Sequence, residues 1–130
     1  MNTTDTGSQT EGVVLAALLR AGKRVLIPFG GGHRYDLAYD DGDGKLVRVQ
    51  CKTAVYQQGC VLFRPHSLRR DQSAMGYRGH ADLFGVFCPA LNKVYLVPVE
   101  DVHEREGRLR VDPPGNGQAR NIRWAQQYEA

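Results

Sequence analysis

Two short segments with alternating side chains constrain the fold of this chain more than any other feature. Residues 34–39 and residues 46–52 read as β-strands, and the Asp/Gly-rich segment 40–44 between them reads as a tight hairpin turn. Successive side chains of a strand point to opposite faces. If the apolar faces of both strands join one core, the polar faces also coincide. The predicted apolar face holds Tyr35, Leu37, Tyr39, Val47, Val49 and Cys51, and the polar face holds Asp36, Gln50 and Lys52.

This polar face has the residue types that metal-dependent phosphodiester cleavage requires. A hard cation such as Mg²⁺ prefers oxygen ligands, which Asp36, the Gln50 side chain and the Cys51 backbone carbonyl can supply. A cation that stabilises the charge developing on the phosphate, or that orients the attacking water, can be supplied by Lys52. Glu11 can reach the same point if the first helix packs beside the hairpin. We therefore expect a candidate metal site on this hairpin.

Composition indicates an ordinary globular chain. At 130 residues with 42% apolar residues, we expect a single domain over residues 1–130. The net charge of +3 is only mildly basic and indicates nucleic acid weakly. Three cysteines without CxxC spacing favour free thiols in a reducing compartment, and no apolar run approaches the roughly 18 residues of a membrane span. We expect a cytoplasmic protein without a membrane partner.

The order of predicted elements is a helix, several strands, a mixed segment and further strands. Residues 1–9 are predicted to be disordered, with the helix beginning near Thr10 or Glu11 and ending at Gly22. Residues 65–80 are predicted to be a loop with a short helix. Residues 82–88 and 94–98 are almost continuously apolar, as in strands buried on both faces. This order predicts one mostly mixed sheet with helices beside it.

The order of the polar residues resembles the PD-(D/E)XK nuclease superfamily. In that pattern a helix Glu, a strand Asp and an (E/D/Q)-x-K triplet form the active site, and they match Glu11, Asp36 and Gln50-Cys51-Lys52. Tyr35 stands where the family has Pro, and Gln50 is neutral where many members have a carboxylate. A wider match covers roughly residues 9–128 and resembles the branch of intron-encoded homing endonucleases. It includes the segments 11–14, 25–28, 34–37, 49–53 and 95–98, together with 123–125.

The resemblance implies an α/β fold, with a restriction-endonuclease-like αβββαβ core, a mixed central sheet and flanking helices. It also implies a DNA endonuclease that uses Mg²⁺, with Mn²⁺ as an alternative, and that leaves a 5′-phosphate. Glu11, Asp36, Gln50 and the Cys51 carbonyl would bind the metal, and Lys52 would complete the catalytic set. Because one centre cuts one strand, cleavage of double-stranded DNA implies a homodimer or homotetramer.

Seven side chains are predicted to contact DNA, most of them in the basic segment that follows the third core strand. Phosphate contacts by cationic side chains supply most of the affinity of such proteins. Tyr77 can either stack or pack there. The predicted DNA contacts are Arg34, Arg48, Arg64, Arg69, Arg70, Tyr77 and Arg78.

Several alternatives remain open from the sequence. The nuclease can be site-specific, as in homing enzymes, or selective for DNA structure, as in junction-resolving enzymes. The neutral Gln50 also allows a non-catalytic DNA-binding module of the same fold. Glu11 can be a metal ligand or only a favourable charge at a helix start.

Overall fold

Within the residues that the structure describes, the fold consists of one long helix and ten short strands. The computed structural model describes residues 3–68, 74–103, 105–117 and 122–130. Two 3₁₀ turns, Val99–Asp101 and Ala125–Tyr128, complete the described elements. The elements are α1 Thr3–Arg20, β1 Arg24–Leu26, β2 Leu37–Asp40, β3 Leu46–Thr53, β4 Val55–Gln57, β5 Cys60–Phe63, β6 His66–Leu68, β7 Ala74–Gly76, β8 Leu83–Cys88, β9 Lys93–Pro98 and β10 Gly107–Arg110.

A mixed five-stranded sheet forms the centre of the fold. Its order is β1-β2-β3-β8-β9, and β3 pairs with β8 in parallel while the other neighbours are antiparallel. The β2–β3 hairpin pairs Leu37 with Val49 and Tyr39 with Val47. This register places the apolar residues of both strands on one face, as the alternation predicts.

Helix α1 covers that face because its apolar residues recur at helical spacing. Val14 and Leu18 are fully buried and pack with Leu37, Tyr39 and Val49. The helix ends in a Schellman arrangement, which requires a left-handed residue after the last turn. Gly22 takes that conformation at φ +83°, its N–H bonds the Leu19 carbonyl, and the Lys23 N–H bonds the Leu18 carbonyl.

The opposite face of the sheet is covered by a second, smaller sheet. Strands β4, β5 and β10 pair in the order β10-β5-β4. Their buried residues Val61, Phe63 and Leu109 join Phe84 and Val86 of β8 in one core cluster. Strand β8 is therefore covered on both faces, as its continuous apolar run predicts.

Two predicted elements differ from the observed ones. The helix begins at Thr3 rather than near Thr10, so residues 3–9 are helical where disorder was predicted. In the segment 65–80, the described residues form the antiparallel pair β6–β7 and a turn over 78–80 rather than a helix. The sequence of this segment lacks a helical apolar period, and pairing between His66 and Gly76 takes its place.

The predicted fold class is confirmed, with one correction to the predicted faces. Tyr35 precedes β2 and packs against the core on the small-sheet side rather than with Leu37 and Tyr39. Strand alternation does not extend to a residue outside the strand. The single-domain organisation stays a prediction. Within the described ranges, no helix is both long and apolar enough to cross a membrane.

Candidate active site

The carboxylate of Asp36 lies where strands β2 and β3 diverge. Strand β2 starts at Leu37, opposite Val49, while β3 continues to Thr53. The Asp36 backbone N–H donates to the Val49 carbonyl at 2.9 Å, and the Asp36 Oδ2 accepts the backbone N–H of Cys51 at 2.9 Å. The side chain therefore satisfies the first β3 amide that β2 no longer pairs.

The first helix brings a second carboxylate to this point. Thr10 is 2% exposed, and its hydroxyl is 2.5 Å from the hydroxyl of Thr53 at the end of β3. This contact fixes the turn of α1 that carries Glu11. Glu11 thereby lies near enough to Asp36 for the charge of Asp36 to raise the pKa of Glu11.

Negative charge is concentrated where Glu11 and Asp36 meet. The pKa of Glu11 is raised, first by partial desolvation and then by the charge of Asp36. The pKa of the Cys51 thiol is also raised, chiefly by burial and further by the charges of Asp36 and Glu11. The ionisation of Glu11 and of Cys51 is therefore disfavoured by partial burial and by the same nearby negative charge.

The backbone carbonyl of Cys51 points toward the same place. The N–H and C=O of one strand residue face the same neighbouring strand, and the Cys51 N–H is bound by Asp36. The Gln50 amide Nε2 donates to this carbonyl at 3.4 Å, which leaves the Gln50 side chain beside the predicted ligands. The predicted ligand set Glu11, Asp36, Gln50 and Cys51 is thus contiguous in space.

Lys52 belongs to a neighbouring cluster on the small-sheet face. Its Nζ donates to the His66 carbonyl and to the Tyr77 hydroxyl, both at 3.3 Å, and lies 4.6 Å from the centre of the Tyr77 ring. The guanidinium of Arg34 lies 4.2 Å from the same ring. Tyr77 in turn packs edge-on against Phe84 at 5.7 Å between ring centres. Tyr77 therefore contacts two cations, Lys52 and Arg34, beside strand β3, and the Cys51 N–H of that strand is bound by Asp36.

Several residues that were predicted to contact DNA have partners within the protein. The Arg48 guanidinium donates to both Asp82 carboxylate oxygens, at 3.1 and 3.2 Å. The pKa of Asp82 is lowered, chiefly by this side-chain hydrogen bonding. Arg34 donates to the Ser67 hydroxyl and the Gly76 carbonyl, both at 2.6 Å. Tyr77 is 5% exposed, so it is a core residue and cannot stack on a base from the surface.

The remaining predicted contacts stay predictions. Arg64 and Arg78 are exposed. Arg69 and Arg70 lie outside the described residues.

The donor set fits a hard divalent cation. Among the described residues, no three His, Cys, Asp or Glu side chains form a metal-binding group. The site instead combines the carboxylates of Glu11 and Asp36 with the carbonyl oxygen of Cys51, and the Gln50 side-chain amide lies beside that carbonyl. Oxygen donors of this kind suit Mg²⁺ or Mn²⁺.

Fold and site together define a nuclease of the restriction-endonuclease-like class, with a helix Glu, a strand Asp and a Gln-x-Lys triplet on one mixed sheet. The model of the PD-(D/E)XK endonuclease family matches residues 1–130, and the chain belongs to that family. The resemblance found in the sequence is thereby confirmed. Members of this family typically use divalent metal ions.

Solved structures share this fold. The bacterial homing endonuclease I-Ssp6803I superposes with a TM-score of 0.78 at 23% identity, covering 99% of this chain and 89% of that one. Hjc, a Holliday junction resolvase from Archaeoglobus fulgidus, superposes with a TM-score of 0.48 at 16% identity, covering 81% of this chain and 84% of that one. No curated protein matches the sequence significantly. The first likeness shows a shared fold.

Sequence reasoning missed two features of the site. The Thr10–Thr53 contact joins residues far apart in the chain, and no local pattern signals it. The role of Tyr77 beside Lys52 depends on the β6–β7 pair, which replaces the predicted helix. A signal for the pair was available, because Gly76 and Gly79 bracket Tyr77 and disfavour a helix there.

Proposed function

We propose that this chain is a metal-dependent DNA endonuclease that hydrolyses phosphodiester bonds at a specific sequence, with Glu11 and Asp36 as the metal-binding carboxylates. The observation that carries the proposal is the position of Glu11 beside Asp36, whose charge raises the pKa of Glu11 and whose Oδ2 accepts the Cys51 N–H. A cation bound there would favour the charged form of Glu11. Sequence specificity of the homing type is supported by the fold shared with I-Ssp6803I.

Glu11, Asp36, Gln50 and the Cys51 carbonyl would hold Mg²⁺ or Mn²⁺ at this point. The bound ion would supply positive charge next to the scissile phosphate and make a water ligand more acidic. Asp36 is oriented for this role by the Cys51 N–H, which fixes one of its oxygens at 2.9 Å and leaves the other available. Glu11 is held in position by the Thr10–Thr53 contact.

Lys52 supplies a cation that the protein itself orients. An ammonium has three donors, and the His66 carbonyl and the Tyr77 hydroxyl accept two of them. The third can donate to the attacking water or to a phosphate oxygen, where negative charge grows as water attacks phosphorus. Breaking the P–O3′ bond then leaves a 5′-phosphate.

The test is cleavage of supercoiled plasmid and random-sequence duplex in Mg²⁺ or Mn²⁺. We expect the wild type to cut, and Asp36→Asn and Lys52→Met to lose at least about 100-fold in rate, the scale on which such groups contribute. Asp43→Asn and Lys45→Met are matched controls, because both side chains lie in the exposed hairpin turn and we expect normal cutting from them. Full activity of Asp36→Asn in Mg²⁺ or in Mn²⁺ would refute the proposed site.

A rare target sequence requires a second substrate. If plasmid and random duplex stay intact, a randomised duplex library identifies the site by sequencing of cut ends. Enrichment of one long sequence supports a site-specific enzyme. Cutting of four-way junctions without sequence preference would instead establish a structure-selective nuclease, and DNA binding without cutting in any metal would establish a non-catalytic module.

We also propose that the enzyme acts as a homodimer or homotetramer, because one candidate centre per chain cuts one strand. Light scattering coupled to gel filtration measures the mass in solution with and without duplex. A monomer in both conditions that still makes double-strand breaks in one binding event would contradict the proposed assembly.

A further inference from the structure

An arginine-rich cleft lies on the small sheet and is separate from the candidate active site. Its volume is about 600 Å³, within the range of roughly 300–1,000 Å³ that proteins use for ligands. Four arginines and one carboxylate line it among the described residues. These are Arg105, Arg108, Arg110, Arg123 and Glu106.

Strand alternation places the arginines on the outside of the small sheet. Gly107 and Leu109 of β10 are buried against the core, so Arg108 and Arg110 point away from it. Arg110 is held by the Gln58 carbonyl at 3.1 Å and the Cys60 Sγ at 2.9 Å. Its backbone N–H donates to the Arg123 carbonyl at 2.8 Å, which attaches the C-terminal segment to the edge of β10.

Positive charge in this cleft is only partly compensated. Glu106 pairs with Arg108 at 3.1 Å. Within the part of the chain that the structure describes, no carboxylate forms an ion pair with Arg105, Arg110 or Arg123. Apolar side chains of Val102, Pro114 and Ile122 form part of the wall. A cleft with one dominant sign of charge and low-dielectric walls focuses its field on an anion.

The lining indicates what kind of anion fits. Arginine presents a planar fork of donors that matches phosphate oxygens. Apart from the His103 imidazole, the described lining has no aromatic ring on which a base could stack. The lining therefore suits phosphate groups better than a stacked base.

We propose that this arginine cleft binds backbone phosphates of the DNA duplex outside the position of the cut, with Arg105 and Arg123 as its main phosphate contacts. The inference rests on one part of the proposed function, namely that this protein binds DNA, and it does not require that the protein cuts it. It assigns phosphate contacts to the small sheet, whereas Arg34 and Arg48 are engaged by protein groups. The cleft anchors the flanking duplex while the carboxylate pair acts at the cut.

The test measures duplex binding by fluorescence anisotropy in EDTA, where no metal-dependent cutting occurs, over a series of KCl concentrations. Random-sequence duplex is sufficient because phosphate contacts are independent of sequence. For Arg105→Gln/Arg123→Gln we expect about tenfold weaker binding and a salt slope smaller by roughly two units, about one for each contact. Arg105→Lys/Arg123→Lys should keep most of the slope, since the charge remains.

Two further variants test whether duplex affinity changes in the direction that the charge of the cleft predicts. Glu106→Gln removes the only described carboxylate of the cleft, so duplex binding should tighten severalfold. Arg24→Gln removes an exposed arginine on the far edge strand β1 and should leave binding unchanged. Equal affinity and equal salt slope for wild type and the Arg105/Arg123 glutamine variant would overturn the proposal, as would the absence of any duplex binding.

Competition separates the sources of phosphate, and cleavage separates this proposal from the previous one. If millimolar inorganic pyrophosphate binds wild type but not the double glutamine variant, while duplex affinity is identical in both, the cleft is a small-anion site and the DNA assignment is wrong. If wild type binds duplex through the cleft but never cuts, the nuclease proposal fails and the cleft proposal holds. If the wild type cuts DNA, and the Arg105→Gln/Arg123→Gln variant cuts and binds DNA equally well, the nuclease proposal holds and the cleft proposal fails.

Discussion

The carboxylate pair predicts that the metal-free protein is destabilised by its own active site. The pKa of Glu11 is raised by partial desolvation and by the charge of the neighbouring Asp36. A carboxyl whose pKa is higher in the folded than in the unfolded state binds protons preferentially when folded. Stability therefore falls as the pH rises from the unfolded pKa, about 4.3 for Glu, through the folded one. The Glu11→Gln variant should be more stable than wild type at pH 7 without metal.

The size of this effect follows from Coulomb's law at the solvent-exposed limit. Two unit charges about 4 Å apart repel by about 1 kcal/mol at the dielectric constant of water. Glu11 is exposed, so this screened limit is the appropriate one. In a chain of this length, about 1 kcal/mol corresponds to roughly 4 °C in Tm. Divalent metal at about ten times its Kd would stabilise wild type by about 1.4 kcal/mol, and it would not stabilise a variant that cannot bind it.

The assay is urea denaturation followed by circular dichroism, at pH 5 and pH 7, in EDTA and in 10 mM Mg²⁺, a concentration of roughly ten times a millimolar Kd. In EDTA we expect Glu11→Gln to exceed wild type at pH 7 and to approach it at pH 5. In Mg²⁺ we expect the difference in stability between Glu11→Gln and wild type to become smaller or to change sign. Asp43→Asn, an exposed turn carboxylate, should follow wild type in every condition. A Glu11→Gln variant that is less stable in EDTA, or that Mg²⁺ stabilises as much as wild type, would refute the reasoning.

Two further predictions concern the scaffold around the site. A Cβ on Gly85 would lie 2.7 Å from Val14 and 3.0 Å from Val49, so Gly85→Ala should lower the free energy of unfolding by about 1–3 kcal/mol and displace α1, measured by urea denaturation together with the cleavage rate. The lowered pKa of Asp82 means that its ion pair with Arg48 stabilises the fold above the unfolded Asp pKa and is lost as pH falls through the folded one. Because both side chains are 35% exposed, the stability lost as the pH falls below the unfolded Asp pKa of about 3.9 should be less than about 1 kcal/mol, and the Arg48→Gln variant should not show this loss in acid titration followed by fluorescence.

The central hairpin could be predicted because it depends on local pattern. Alternation over 46–52 and the Asp/Gly turn determine which side chains share a face, and the observed register pairs Leu37 with Val49 as this requires. The position of Asp36 was also predictable, since it precedes the apolar run by one residue. Predicting the position of Glu11 required the assumption that the helix packs beside the hairpin. The burial of Val14 and Leu18 against Leu37 and Val49 shows this packing.

The partners of the cations could not be predicted from the sequence. Lys52 meets His66 and Tyr77 only because β6 and β7 pair and return the chain to β3. Arg48 precedes Gln50 by two residues and looks equally available for DNA, yet it binds Asp82 across the parallel β3–β8 pair. Charged side chains carry no periodic signal that distinguishes a structural ion pair from a phosphate contact, because both are half exposed.

The geometry of Asp36 also determines which substitution is informative. Its Oδ2 accepts the Cys51 N–H, and its charge raises the pKa of Glu11, so the residue has a structural role beside its proposed chemical one. Alanine removes both, and the loss of a buried acceptor costs about 1–3 kcal/mol by itself. Asparagine keeps an oxygen that can accept the Cys51 N–H. It removes the negative charge that raises the pKa of Glu11 and that would bind a cation. Inactivity of Asp36→Asn with an unchanged urea midpoint therefore isolates the chemical role, whereas inactivity of Asp36→Ala alone leaves strand pairing and metal binding confounded.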